Sequence, residues 1–97
     1  MPEYAIERLV MPSTLDFTTR AELTTAASRL IEHAHAEVEV DCSAIADVDD
    51  PTVGMLVWLT RTAKRRGIAI VLDGPTPSLL RALELAGVAD RFSLRDS

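Results

Sequence analysis

The run Val48-Asp49-Asp50-Pro51-Thr52-Val53-Gly54-Met55-Leu56 decides how this chain is organised. It opens on an acidic pair and a proline, then settles into helical spacing as far as Arg66-Gly67. An Asp at a helix N-cap accepts a hydrogen bond from an otherwise unpaired N–H, and Pro suits the first helical position. The spacing therefore predicts a helix from Pro51 to Arg66, with either Asp49 or Asp50 as its cap. Lys64, Arg65 and Arg66 set cations against the negative end of the helix dipole, and Gly67 is the stop. On a helical wheel Thr52, Val53, Leu56, Leu59, Thr60 and Ala63 share a core-facing arc. Gly54, Trp58, Arg61 and Arg65 fall opposite, which places the only Trp of the chain outward, beside two arginines.

Strand signals flank this helix. Glu37-Val38-Glu39-Val40-Asp41 alternates strictly before it, and Ile68-Ala69-Ile70-Val71-Leu72 is an apolar run after it that suggests burial on both faces. Further out, Tyr4 to Met11 reads as a strand with Tyr4, Ile6, Arg8 and Val10 on one side. Thr19-Arg20-Ala21-Glu22 matches a capping box, with Thr19 as N-cap, for a helix from Arg20 to Ala34. Asp73-Gly74-Pro75-Thr76-Pro77 turns the chain into a third helix, Ser78 to Ala86, stopped by Gly87; Arg91 to Leu94 is a tail with no assigned structure. Strands alternating with helices predict one α/β domain over residues 1–97, with parallel strand pairs joined by helical crossovers.

Composition narrows the function. The 15 acidic and 10 basic residues leave a net charge of -5, which argues against a general nucleic-acid binder. The single Cys42 excludes an intramolecular disulfide and a zinc site of several thiolates, and is expected as a small buried residue. No run approaches the roughly 18 apolar residues of a membrane span, and Met1-Pro2-Glu3-Tyr4 lacks signal-peptide character. A soluble, cytoplasmic domain without membrane insertion is the expectation. His33 and His35 would not share a helical face, no metal ligand set is visible, Gly-rich phosphate loops are absent, and no cofactor is implied.

Asp47-Val48-Asp49 after a strand resembles the paired aspartates of haloacid-dehalogenase-type phosphatases, a nucleophile followed by a general acid. Thr52 falls one position late for that pattern, and the chain is short for the remaining catalytic parts.

Taken together, the landmarks resemble the STAS domain, the family of bacterial anti-sigma factor antagonists. Leu15-Asp16 precedes the first helix, Asp41-Cys42-Ser43 follows the second strand, and Asp49-Asp50-Pro51-Thr52-Val53-Gly54 occupies the place of Asp-Ser-Ser-Gly-Leu-Gly. Gly67, the strand from Ile68 to Leu72, and Leu83-Glu84-Leu85-Ala86-Gly87-Val88 complete the match over nearly the whole chain. The resemblance implies a mixed sheet of about four strands flanked by helices, no catalytic activity, and a partner that is both anti-sigma factor and kinase. In well-known members that partner phosphorylates the first Ser, which ends the interaction. Here Asp50 stands at that Ser, so ordinary phosphorylation is excluded there, and its charge of about -1 is weaker than the roughly -1.5 to -2 of a phosphoserine.

The partner surface implied by this layout comprises Asp16, Asp49, Asp50, Thr52, Gly54, Trp58 and Arg61. Small STAS proteins also occur as accessory subunits of ABC-type lipid transporters, an alternative in which loss of the phosphorylated Ser is less surprising. Nucleotide binding near Asp16 and Asp50 is disfavoured by the repulsion between clustered carboxylates and phosphates.

Overall fold

The structure, a computed structural model, describes residues 7–46 and 48–95. Four strands, β1 (Glu7–Val10), β2 (Glu37–Asp41), β3 (Ala69–Asp73) and β4 (Phe92–Arg95), form one sheet in the order β1-β2-β3-β4. They are linked in turn by helices α1 (Phe17–His33), α2 (Asp50–Arg65) and α3 (Pro77–Leu85), with a short 3-10 turn, Ala89–Arg91, before β4. All three pairings among the described residues are parallel, as the alternation of strands and helices predicted. The expected first strand began at Tyr4; its opening residues lie outside the described ones, and the described part is Glu7–Val10.

The order of strands dictates where the helices go. Crossovers between parallel strands are nearly always right-handed, so a sheet that always steps in the same direction carries its helices on one face. The core confirms this placement. Leu23, Ala27 and Ile31 of α1, Leu56, Leu59 and Ala63 of α2, and Leu79 and Leu83 of α3 share one cluster with Leu9, Met11, Val38, Val40, Cys42, Ile70, Leu72 and Phe92 of the sheet and its loops. Each fully buried Leu contributes about 2 kcal/mol, so this one-sided core is the main source of stability.

Local chemistry sets the helix ends. At α1 the carboxylate of Asp16, not Thr19, is the N-cap, and its Oδ1 accepts the Thr19 N–H at 2.7 Å. Thr19 is therefore the third helical residue, and the helix starts three positions earlier than the capping box predicted. Helices α2 and α3 both end in a glycine of left-handed conformation, Gly67 at φ 70° and Gly87 at φ 76°. At each end the glycine N–H and the following N–H bond back to open carbonyls: Gly67 to Lys64 and Ile68 to Ala63, Gly87 to Glu84 and Val88 to Leu83. The unassigned tail becomes β4, held by pairing to β3 from Ile70↔Phe92 to Asp73↔Arg95.

The other face of the sheet is ionic. Register places Arg8, Glu39, Val71 and Ser93 in one row and Val10, Asp41, Asp73 and Arg95 in the next. Arg8 bonds Glu39, Asp41 at 3.0 Å and Asp73 at 3.1 Å; Arg95 reaches across β3 to Glu39 and Glu37. The side chain of Glu39 is only 8% exposed beneath these two arginines. Glu39 lies on the face opposite Val38 and Val40, and it is the arginines that bury it. Val71 is buried on this face too, outside the main cluster, whereas Ala69, expected buried on the same run, is exposed.

Removing one side of a buried ion pair costs more than removing the buried charge itself, because the survivor is left desolvated. Arg8→Met with Arg95→Met should therefore lower the thermal midpoint by ~10 °C, and Glu39→Leu by clearly less, in melting curves followed by circular dichroism. Equal shifts, or none, would show that the arginines do not satisfy Glu39.

Acid stability follows from three carboxylates held below their ordinary value of 3.8. Asp16 is lowered by the Thr19 amide and then its hydroxyl, Asp41 by the Ser43 hydroxyl and amide, and Asp49 by the Thr52 side chain and amide. A depressed carboxylate stabilises the fold above its unfolded value and loses that contribution as pH falls through the folded one. Stability should be flat from about pH 7 to 5 in these groups and fall below about pH 4. Urea midpoints measured across that range check it; a loss already complete at pH 5 would contradict these assignments.

Candidate functional site

Because all strands run parallel, every helix N-terminus emerges at the carboxyl rim of the sheet. Three caps line this rim: Asp16 on α1, Asp49 on α2 and Thr76 on α3, each accepting the N–H of the residue three positions on. The rim is knitted together by backbone. Met11 N–H bonds Asp41, Cys42 N–H bonds Asp73, and the Ala46 N–H reaches Ser13 across two loops at 3.2 Å. Asp41 adds a tight turn, with its Oδ1 accepting both the amide of Ser43 at 2.9 Å and its hydroxyl at 2.6 Å.

The acidic pair divides its roles. Asp49 is the N-cap of α2, its Oδ1 accepting the Thr52 N–H at 3.0 Å. Asp50 is the first helical residue, exposed at the positive end of the dipole. Asp47 lies outside the described residues, and the Asp49 carboxylate is engaged in the cap. Cys42 is buried, and desolvation first, then Asp41 and Asp73, push its thiol up to about 12, which leaves it a packing residue.

The remaining candidate residues separate. Gly54 is exposed, and a methyl group added there would meet nothing within 4 Å, so packing does not demand it. Thr52 is buried, 2% exposed, with its amide bound by Asp49, and presents nothing to a partner. Trp58 does not stand outward as the wheel suggested: it is half-buried on the core and lines a hollow of about 220 Å³ with Arg20, Thr24 and Met55. The wheel described α2 alone, and α1 packs alongside it. Arg61 is exposed, but it lines a different hollow near the far end of α2.

One residue was missed. Phe17, the first residue of α1, is 90% exposed and borders a hollow of about 380 Å³ with Arg20, Ala21 and Thr24. The two hollows share Arg20 and Thr24, so a trough runs from Phe17 to Trp58 beside the caps. The signal available in the sequence was Asp16: taken as the cap, it places Phe17 at a helix end with nothing opposite. Among the described residues no cluster of His, Cys, Asp and Glu has metal-binding geometry, and no helix is long and apolar enough to cross a membrane.

Comparison with known proteins agrees with this architecture. The solution structure of TM1081 superposes with a TM-score of 0.76 at 14% identity, covering 93% of this chain and 73% of that one. A crystal structure of TM1081 from Thermotoga maritima, described as a candidate anti-sigma factor antagonist, gives 0.75 at 16% identity, covering 97% and 85%. The anti-sigma factor antagonist SpoIIAA in its unphosphorylated form gives 0.72 at 16% identity, covering 99% and 84%. At these identities the likeness is one of fold. No curated protein matches the chain at a significant level. The family model described as Mlab, STAS domain matches residues 7–96, and the chain belongs to the STAS domain family.

Proposed function

We propose that this domain is a non-enzymatic, cytoplasmic interaction module of the anti-sigma factor antagonist type, whose partner is an anti-sigma factor with a kinase-type domain. The observation that carries the reading is Asp50, an exposed permanent charge at the start of α2, in the position that family resemblance gives to a phosphorylated Ser. The surface extends from Asp16, Asp49 and Asp50 on the carboxyl rim, past Gly54, into the trough between Phe17 and Trp58. A charged rim beside an exposed aromatic is the composition of a protein interface, where aromatic anchors supply most of the affinity. Thr52 drops out as a contact because it is buried.

A second reading, an accessory subunit of an ABC-type lipid transporter, is favoured by the loss of a hydroxyl at residue 50. Co-purification from the native host separates the two, yielding a kinase-like anti-sigma factor in one case and a transport ATPase in the other. The phosphatase reading loses ground, because the Asp49 carboxylate is occupied by the helix it caps.

Asp50→Ser should acquire one phosphate from the host's anti-sigma kinase and ATP by intact-mass spectrometry, and its affinity for that kinase should change about tenfold in calorimetry. Phe17→Ala should weaken the same binding about tenfold while leaving the melting curve unchanged. An Asp50→Ser protein that is neither phosphorylated nor altered in affinity would sink the kinase reading, and an unaffected Phe17→Ala would remove the trough from the interface.

A further inference from the structure

Half of the chain's ten basic residues, Arg61, Lys64, Arg65, Arg66 and Arg91, lie at the end of α2 and in the 3-10 turn before β4. This concentration arises in a chain whose net charge is -5. Arg61, Lys64 and Arg91 line a hollow of about 420 Å³ together with Ile68, Ile70 and one carboxylate, Asp90. None of the three makes an ion pair among the described residues, whereas Arg8 and Arg95 are each paired with two or more carboxylates. Compensation of the helix dipole accounts for Lys64 and Arg65 in the last turn of α2. It does not account for Arg91, which belongs to another element, or for Arg61, a turn earlier.

Three unpaired cations around one hollow repel each other, and the single lining carboxylate, Asp90, leaves the site net positive. At about 30 Å³ per water, the hollow is far larger than a single small ion needs. We propose that it binds a phosphate-bearing ligand, with the phosphate held by Arg61, Lys64 and Arg91 and the organic part lying against Ile68 and Ile70. Charge-assisted bonds from arginine to phosphate supply both strength and geometry. The site sits roughly 20 Å along α2 from Asp50, at 1.5 Å per residue, and does not rest on the anti-sigma reading.

Titration of the isotopically labelled chain with pyrophosphate and with ADP, in physiological salt, tests the proposal by NMR. Saturable shifts at the Gly67, Ile68 and Arg91 amides are expected. Lys64→Gln with Arg91→Gln should weaken binding about tenfold, Arg29→Gln on the exposed side of α1 should not change it, and Asp90→Asn should strengthen it. Vesicles of phosphatidylglycerol provide the headgroup arm: binding there that is lost in the same double variant assigns the phosphate to a lipid, and binding of ADP assigns it to a free ligand. The proposal is overturned if neither source binds, if the double variant binds as tightly as the parent, or if Arg29→Gln weakens binding equally.

Discussion

Each strand of the sheet is laid parallel beside the one before it, and that constraint decides where everything else lies. Crossovers of a single hand then gather α1, α2 and α3 on one face. Every helix N-terminus comes to the carboxyl rim and every helix C-terminus to the opposite end. Doubly wound sheets bind ligands in the crevice where strand order reverses. Among the described strands the order never reverses, so the rim offers a row of capped helix starts instead of a cleft. Such a surface suits a macromolecular partner better than an enclosed substrate. The basic hollow at the other end arises from the same constraint, because the end of α2 and the turn before β4 both lie there.

One-sided packing also creates the ionic face. No helix covers it among the described residues, so two long arginine side chains lie over it instead. Exposed ion pairs contribute about 0–1 kcal/mol each, well below the buried leucines of the helical face. The network therefore contributes less to overall stability than to keeping Glu39 satisfied and Val71 covered. Its sensitivity is concentrated in the two carboxylates nearly removed from solvent, Glu39 at 8% and Asp73 at 13% exposure, while both arginines remain partly hydrated.

Much of this was legible from local chemistry. Helix α2 announced itself through a cap, a proline and a glycine stop; the cap is Asp49 and the stop Gly67, while Pro51 falls at the second helical position because Asp50 opens the helix. The start of α1 was misread because Asp16 and Thr19 stand three residues apart and either can cap. The carboxylate is the cap that forms, and Thr19 supplies its donor. Burial of Glu39 was not legible, since its partners lie 31 and 56 residues away. Trp58 failed for a related reason: a wheel drawn for one helix contains no information about its neighbour. Strand β4 is four residues long with only Phe92 buried, too weak a pattern to stand without the strand it pairs with.

The division between Asp49 and Asp50 bears on how such a surface is tuned. Asp49 satisfies the orphan amide of Thr52, so the helix start does not depend on its neighbour. Residue 50 is thereby released from structural duty, and its charge can be set by its effect on a partner. The positive end of the helix dipole, equivalent to about half a charge, offsets part of a single carboxylate but much less of a phosphoserine of roughly -1.5 to -2. Under the proposed reading, Asp50 thus holds the surface at a field between the neutral and phosphorylated states of a Ser-bearing relative. A fixed intermediate field grades affinity where a reversible one switches it. Regulation of this domain would then come from the abundance of its partner or from a second site, and the basic hollow at the far end of α2 is placed to be that site.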